Sequence, residues 1–180
     1  MENQPIIKLS SGKYLNLVSP EQDLMTLEVI AHGLSNTCRF AGQCITFYNV
    51  ADHSTAMATY FIGRKEYKLA KEALLHDATE AFLGDVSSPL KQLLPEYQSI
   101  ERNMDLHIRE RYGLPKEMSK EVKDVDKMMF DQEIMMFLPS VTNHSGEPVG
   151  SIPTPSKAKF IHTYKVIEEL IQREKEVKKI

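Results

Sequence analysis

Residues 67–84 read YKLAKEALLHDATEAFLG, and this stretch decides the class of fold. Its apolar side chains recur at helical spacing, which predicts one continuous helix over residues 67–83. The inner face of that helix is apolar in its first half but carries His76, Asp77 and Glu80 in its second half. Ionisable groups on a core-facing stripe cost free energy unless a partner compensates their charge. The stretch therefore indicates both a helical core and a functional site.

Five further helices are predicted from the same spacing on either side of this stretch. The first of these helices has two candidate N-terminal caps, the segment 19–22 (SPEQ) and Thr26. Residues 139–156 are rich in Pro, Gly, Ser and Asn, which predicts a long surface loop before the last helix. The other predicted helices span residues 49–63, 96–112, 119–138 and about 160–171.

Two short, partly β-branched runs near the N-terminus, residues 5–9 and 13–18, predict a small hairpin. The predicted fold is therefore all-α, a helical bundle with a minor N-terminal hairpin. Ligand sites in such bundles form between facing helices. A chain of 180 residues with 42% hydrophobic and 26% charged residues has the size and composition of one globular domain, spanning residues 1–180.

The net charge of -3 supplies no broad basic surface, so we expect no nonspecific binding of polymeric nucleic acid, which needs many Lys and Arg contacts. A small-molecule anionic partner needs only a few cations and is compatible with this charge. We expect no membrane partner, since no stretch approaches the roughly 18 apolar residues of a membrane span. The first ten residues, MENQPIIKLS, lack a basic segment followed by a long apolar run. These features predict a cytoplasmic protein, in the host cytoplasm if it is phage-encoded, and we expect a homo-oligomer.

A combination of four residues on three predicted helices indicates a metal site: His53, His76, Asp77 and Asp126. A single helical histidine is usually an ordinary packed residue, so the prediction depends on the combination. Two imidazoles and two carboxylates suit Mn, Co, Ni, Zn, Fe or Mg and leave positions open for water. Such an ion lowers the pKa of water, which removes the need for an activated Ser or Cys nucleophile.

Three strings carry a resemblance to a known family: FYNVADHS (47–54), LLHDATEAFLGDVSSPLK (74–91) and VKDVDKMMFDQE (122–133). They resemble the HD-domain phosphohydrolases that act on deoxynucleotides. Within that superfamily they are similar to the branch of bacterial 5'-deoxynucleotidases and short phage enzymes that remove triphosphate from dATP. The resemblance spans about residues 27–137. It implies an HD-domain helical bundle.

Position by position, the resemblance implies that His53, His76, Asp77 and Asp126 hold one divalent ion. A second ion bound with the substrate phosphates is also compatible with it. Glu80 matches the acidic residue proposed to handle the proton of the attacking water or of the leaving oxygen. Its spacing after the His76-Asp77 pair independently puts it over the same helical face. A solvated helical glutamate is the alternative.

The choice of Asp126 as the fourth ligand has two rivals, Asp124 and Asp131. Asp126 is preferred because it borders the apolar stripe of its helix and because Glu133 follows it by seven residues, as in the family pattern.

The resemblance also implies residues that contact the substrate. Arg39 matches an arginine that relatives place against the phosphate, a role that suits a planar guanidinium. Phe40 replaces a Trp that is common among the bacterial monophosphatases, so sugar and base selection stay open. Asp85 matches a residue beside the deoxyribose, although a turn carboxylate that caps the next residues is an equal alternative. Lys91 and Lys123 match basic positions that could neutralise a longer phosphate chain.

The leading functional prediction is hydrolysis of a deoxynucleoside triphosphate, with dATP as first choice, to the deoxynucleoside and triphosphate. A 5'-deoxynucleotidase that converts a dNMP to deoxynucleoside and phosphate is the first alternative, because the same strings would serve it. A noncatalytic nucleotide-binding protein is the second, and a bundle with a purely structural metal is the third. Base preference, the metal and the pathway stay open at this point.

Overall fold

The computed structural model describes residues 5–138 and 153–177, which are mostly helical. The predicted hairpin is confirmed: β1 (Ile6–Lys8) and β2 (Tyr14–Asn16) pair antiparallel, with Ile7 opposite Leu15. Leu15 is fully buried, so the hairpin covers one end of the helical core.

The first helix, α1 (Leu27–Asn36), begins at the later of the two competing caps. The Thr26 side chain accepts a hydrogen bond from the Val29 amide at 3.4 Å. Residues 22–24 form only a short 3₁₀ turn. The second helix, α2 (Val50–Gly63), begins as predicted at Asn49, whose side-chain oxygen accepts from the Asp52 amide at 2.9 Å.

The prediction of one continuous helix over residues 67–83 is wrong. The structure has α3 (Tyr67–Leu75) and α4 (Glu80–Leu83), separated by four residues with tight turns. The Ala78 amide donates to the Leu75 carbonyl, three residues back instead of four. Gly33 of α1 approaches Ala81 of α4 so closely that an added Cβ would lie 2.5 Å from the Ala81 carbonyl oxygen. The apolar spacing that predicted one helix contains no information on this tertiary contact.

The later helices agree with the prediction except in their boundaries and in one short addition. α5 (Ser88–Lys91) was not predicted. Gly113 ends α6 with a left-handed φ of 62°, which glycine adopts without steric cost. The predicted loop lies largely outside the described residues, and the last helix begins at residue 153. The bounds are α6 (Pro95–Tyr112), α7 (Lys120–Phe137) and α8 (Pro153–Val177).

One cluster of buried apolar side chains is built from the hairpin and the long helices. Phe61 of α2, Leu74 of α3 and Phe160 of α8 are among its largest fully buried members. Within residues 5–138 and 153–177, no helix combines the length and apolarity needed to cross a membrane. The core therefore packs α2, α3 and α8 together and fixes the positions of the polar side chains that α2, α3 and α7 direct to one side.

Candidate metal centre

His53 lies one turn into α2 and is fully buried. Its Nδ1 lies 2.6 Å from Oε1 of Glu133. A carboxylate can only accept a hydrogen bond, so Nδ1 carries the proton and Nε2 presents its lone pair. This Nε2 lies 3.2 Å from Oδ1 of Asp126.

His76 follows the last residue of α3 and is oriented by its own helix. Its Nδ1 donates to the Ala73 carbonyl at 2.8 Å, so Nε2 is the nitrogen that carries the lone pair when the ring is neutral. Nε2 lies 3.1 Å from Oδ2 of Asp77 and 3.7 Å from Oδ1 of Asp126. Both imidazole rings are therefore held through a contact at Nδ1, and the Nε2 atoms of both rings point to the same place.

His53, His76 and Asp126 form a compact group whose ligand atoms all lie within 4.8 Å of one another. Within the described residues, both Nε2 atoms are buried without a hydrogen-bond partner, although carboxylate oxygens are near. Buried polar nitrogens normally have partners, so atoms that converge without hydrogen-bonding geometry suit a shared cation. The cluster could hold a metal ion, and its donors fit the predicted nitrogen and oxygen set.

Asp77 and the rivals of Asp126 are placed differently. Oδ2 of Asp77 lies 3.9 Å from Nε2 of His53, so Asp77 borders the compact group, and its role as fourth ligand stays a prediction. Asp124 is exposed and pairs with Lys120 at 2.5 Å, and Asp131 is also exposed. The geometry therefore favours Asp126 over both.

The electrostatics of the cluster favour a positive charge. Burial alone would lower the pKa of His76, but Asp77 and Asp126 raise it well above its usual value. Burial alone would raise the pKa of Asp77, but His76, His53 and Arg39 lower it to about 2. The pKa of Asp126 is likewise held well below its usual range, against burial, by His53 and His76. A cation can take the place of the proton that these carboxylates stabilise on the imidazole.

Glu133 is a buried residue beside the cluster whose contacts the sequence did not reveal. It is 5% exposed, and its Oε1 accepts from the Tyr48 hydroxyl at 2.7 Å as well as from His53. Its Oε2 accepts from Nε of Arg39 at 3.1 Å and from Nη2 at 2.9 Å. Burial would raise the pKa of Glu133, but His53 and Arg39 lower it. The available signal was its spacing of seven residues after Asp126, which puts both on one face of α7.

A cavity of about 360 Å³ opens beside the cluster. Lys123 is exposed and is not among the cavity-lining residues that the structure describes, whereas Lys127, one turn later on α7, does line it. Most of the residues that the sequence predicted lie on the cavity wall: Arg39, Phe40, Asp77, Glu80, Asp85, Lys91 and Asp126.

Comparison with known proteins gives relatives that carry no stated activity. No family model matches the sequence. The uncharacterized protein YfdR of Escherichia coli (strain K12) is 43% identical over 127 residues, which cover 71% of this chain and 69% of that protein. The chain belongs to the YfdR family. An uncharacterized protein of Rhodobacter capsulatus is 34% identical over 125 residues, which cover 64% of this chain and 62% of that protein.

In this YfdR-family protein, Glu80 lies on the cavity wall with unused hydrogen-bonding capacity. It is 8% exposed, and its Oε2 is buried without a partner within the described residues. Burial raises its pKa well above the usual value, and Asp77 and Asp85 raise it further. Burial also raises the pKa of Asp85, against the influence of Arg39. Both carboxyl groups therefore bind protons more readily than exposed ones.

Two of the predicted phosphate-binding residues, Arg39 and Lys91, already have acidic partners. Arg39 is engaged by Glu133, and its Nη1 lies 3.7 Å from Oδ2 of Asp77 at the cavity wall. Lys91 donates to Glu101 at 2.6 Å.

Phe40 has a φ of 54°, a left-handed conformation that is costly for a bulky residue. Backbone strain of this kind persists where surrounding contacts enforce it, and here it lies directly after Arg39.

Proposed function

We propose that this protein is a metal-dependent phosphohydrolase of the HD-domain kind that hydrolyses the 5' phosphate ester of a 2'-deoxynucleotide. One observation carries the proposal: the buried Nε2 atoms of His53 and His76 converge with Asp126 beside a cavity that Glu80 and Arg39 also line. A metal-binding cluster, an acid-base group and an anion-binding group around one small cavity are the parts that phosphate-ester hydrolysis requires.

The proposed ligands are His53, His76 and Asp126, with Asp77 as the fourth. A divalent ion there supplies Lewis acidity toward a phosphoryl oxygen and toward water. Glu133 holds the His53 ring through Nδ1 and thereby keeps Nε2 aimed at the ion site. The mixed nitrogen and oxygen donor set is compatible with Mn, Co, Ni, Zn, Fe or Mg.

Glu80 handles a proton in this proposal. Its raised pKa makes Glu80 easier to protonate than an exposed glutamate, so the neutral form can protonate the departing 5' oxygen of the deoxynucleoside. In its ionised form the same carboxylate can accept a proton from the attacking water. The burial of Glu80 and the unpartnered Oε2 support this role over that of a solvated helical glutamate.

Arg39 and Lys91 bind the phosphate oxygens in this proposal. Glu133 fixes the Arg39 guanidinium through Nε and Nη2, so its Nη1 edge stays positioned at the cavity wall without a loss of side-chain entropy on binding. Asp85 lies on the same wall, which supports a hydrogen bond to a deoxyribose hydroxyl more than a purely local turn role.

Two substrates compete within this proposal. Cleavage of dATP to deoxyadenosine and triphosphate is the first candidate, on the resemblance of the sequence to the phage-type enzymes. Cleavage of a dNMP is the second. Because Lys123 lies away from the cavity wall and a triphosphate needs more cations than a monophosphate, cleavage of a dNTP would need a contribution from Lys127. Lys127 is the lysine on the wall that could replace Lys123.

The deciding experiment measures phosphate and triphosphate release from dNMPs, NMPs and dNTPs, with Mn, Co, Mg and Zn supplied in turn. Glu80→Gln should lower turnover by about a hundredfold to ten-thousandfold while metal content stays the same. Arg39→Ala should mainly raise KM. Glu28→Gln, at an exposed position of α1, is the matched control and should behave as wild type. Near-normal turnover in Glu80→Gln removes Glu80 from the mechanism, and no release from any nucleotide with any ion overturns the proposal.

A further inference from the structure

Aromatic as well as polar residues line the cavity beside the candidate metal cluster, which consists of His53, His76 and Asp126. Phe40 and Phe130 both line it, with their ring centroids 5.6 Å apart and their planes tilted by 34°. The Cζ atom of Arg39 lies 5.3 Å from the Phe40 ring, so the aromatic pair adjoins the proposed phosphate-binding group. Aromatic and ionic side chains are therefore neighbours on the cavity wall.

Phe130 belongs to the same helical face as a metal-cluster residue. It follows Asp126 by four residues on α7, so the two side chains are neighbours one turn apart, about 6 Å along the helix. Phe130 is 43% exposed. Single exposed apolar side chains are common, but this one pairs with a second aromatic ring on the wall of a polar cavity.

We propose that Phe130, backed by Phe40, packs against the face of the nucleobase of the bound nucleotide. This inference rests on the proposed function, because it assumes that the phosphate lies at the metal cluster and Arg39. Covering the exposed ring with a flat base removes apolar surface from water and adds ring–ring attraction. The charged end of the nucleotide then lies at the metal cluster and Arg39, and the base covers the Phe130 ring.

The spacing of the two rings defines how the base can bind. Insertion of a base between two parallel rings requires about 7 Å, twice a carbon–carbon contact distance. The rings of Phe40 and Phe130 are too close and too tilted for that arrangement. The base therefore covers the pair from the cavity side. A phenyl ring carries no hydrogen-bonding groups, so this contact distinguishes bases by the size of their faces, with purines favoured over pyrimidines.

The test compares a nucleotide with its base-free counterpart in the metal-loaded Glu80→Gln protein, which is expected to bind without turnover. Calorimetry measures the affinities for dAMP and for deoxyribose 5-phosphate, with and without Phe130→Ala. We expect dAMP affinity to fall by about tenfold to a hundredfold, the range of one base–aromatic contact, while deoxyribose 5-phosphate affinity stays unchanged. Phe130→Tyr should retain dAMP affinity, because it keeps the ring.

Met135→Ala is the matched control, since Met135 lies on the same helix and is 81% exposed. It should leave both affinities unchanged. Unchanged dAMP affinity in Phe130→Ala, or an equal loss for both ligands, overturns the inference. A change in oligomeric mass with normal dAMP affinity also overturns it and assigns Phe130 to an interface between copies. Binding of dAMP that depends on Phe130 in a wild-type protein without hydrolysis supports the inference and contradicts the proposed function alone.

Discussion

Glu133 links the two halves of the candidate site at the scale of a single residue. One of its oxygens receives His53 and Tyr48, and the other receives the Arg39 guanidinium twice. The carboxylate therefore orients a metal-cluster imidazole and a proposed phosphate-binding group at the same time. A change at Glu133 should disturb both functions although Glu133 itself belongs to neither.

Glu133→Gln should weaken metal binding by about tenfold to a hundredfold, the usual effect of losing a residue that orients a ligand. The amide nitrogen cannot accept a hydrogen bond, and Arg39 is left buried without its closest counter-charge. The free energy of unfolding should fall by about 3–5 kcal/mol for that reason. Metal titration and urea denaturation measure the two effects. Unchanged metal affinity would mean that Glu133 has a purely structural role.

The pH dependence of stability should reveal Glu80 in the metal-free protein. Burial, Asp77 and Asp85 raise its folded-state pKa above the ordinary 4.5, against the opposite influence of Arg39 and His76. The folded state therefore binds more protons than the unfolded state between the two pKa values. The stability contribution of Glu80 is fully present below 4.5 and is lost as pH rises through the folded-state pKa.

Glu80→Gln should accordingly make the metal-free protein more stable than wild type at about pH 8 and leave stability unchanged at about pH 4. The amide cannot ionise, so the cost of a buried charge disappears. Denaturation curves of both proteins in the presence of a chelator provide the measurement. A Glu80→Gln protein less stable than wild type at the higher pH would contradict the buried environment assigned to this carboxyl group.

At the scale of elements, the contact between α1 and α4 fixes the segment that carries Glu80. Gly33 meets the Ala81 backbone so closely that an added Cβ would lie 2.7 Å from both Cα and Cβ of Ala81. Backbone atoms cannot rotate away, so the two helices must separate. Gly33→Ala should lower the free energy of unfolding by about 1–3 kcal/mol and also reduce turnover.

Gly63→Ala is the matched control for this prediction, because a Cβ at Gly63 would meet nothing within 4 Å. That substitution in the last turn of α2 should be neutral or raise stability by up to about 1 kcal/mol, since alanine favours helix. Urea denaturation distinguishes the two variants. Equal behaviour of the two would show that the α1–α4 approach adjusts without cost.

At the scale of the whole molecule, the metal cluster joins helices that are distant in sequence. A divalent ion bound only by the folded state stabilises it by about 2.7 kcal/mol at a free concentration one hundred times Kd. For a chain of 180 residues this corresponds to a Tm increase of about 5–10 °C. Thermal denaturation in chelator and in excess Mn measures the shift.

A variant that lacks one of the proposed metal ligands tests where the ion binds. His76→Ala removes one converging imidazole, so the Tm increase on addition of metal should largely disappear. His32→Ala, at an exposed position of α1, should retain it. A full Tm increase in His76→Ala would place the ion elsewhere in the protein.

The sequence by itself determined the helical class, the N-terminal hairpin and most helix ends, because caps, glycine stops and apolar spacing act over a few residues. Asn49 begins α2 and Gly113 ends α6, each through contacts within one turn. The sequence also identified His53, His76 and Asp126 as candidates, because ionisable residues next to an apolar stripe are conspicuous without any structure.

Only the tertiary structure decided which of these residues meet and how they are held. The break between α3 and α4 lies beside the close approach of Gly33 to Ala81, and Glu133 contacts Arg39 across 94 positions. The presence of Lys127 and not Lys123 on the described cavity wall depends on how α7 is rotated against the core. Such contacts arise from packing between elements, and local spacing does not encode the distance between groups that the chain brings together only on folding.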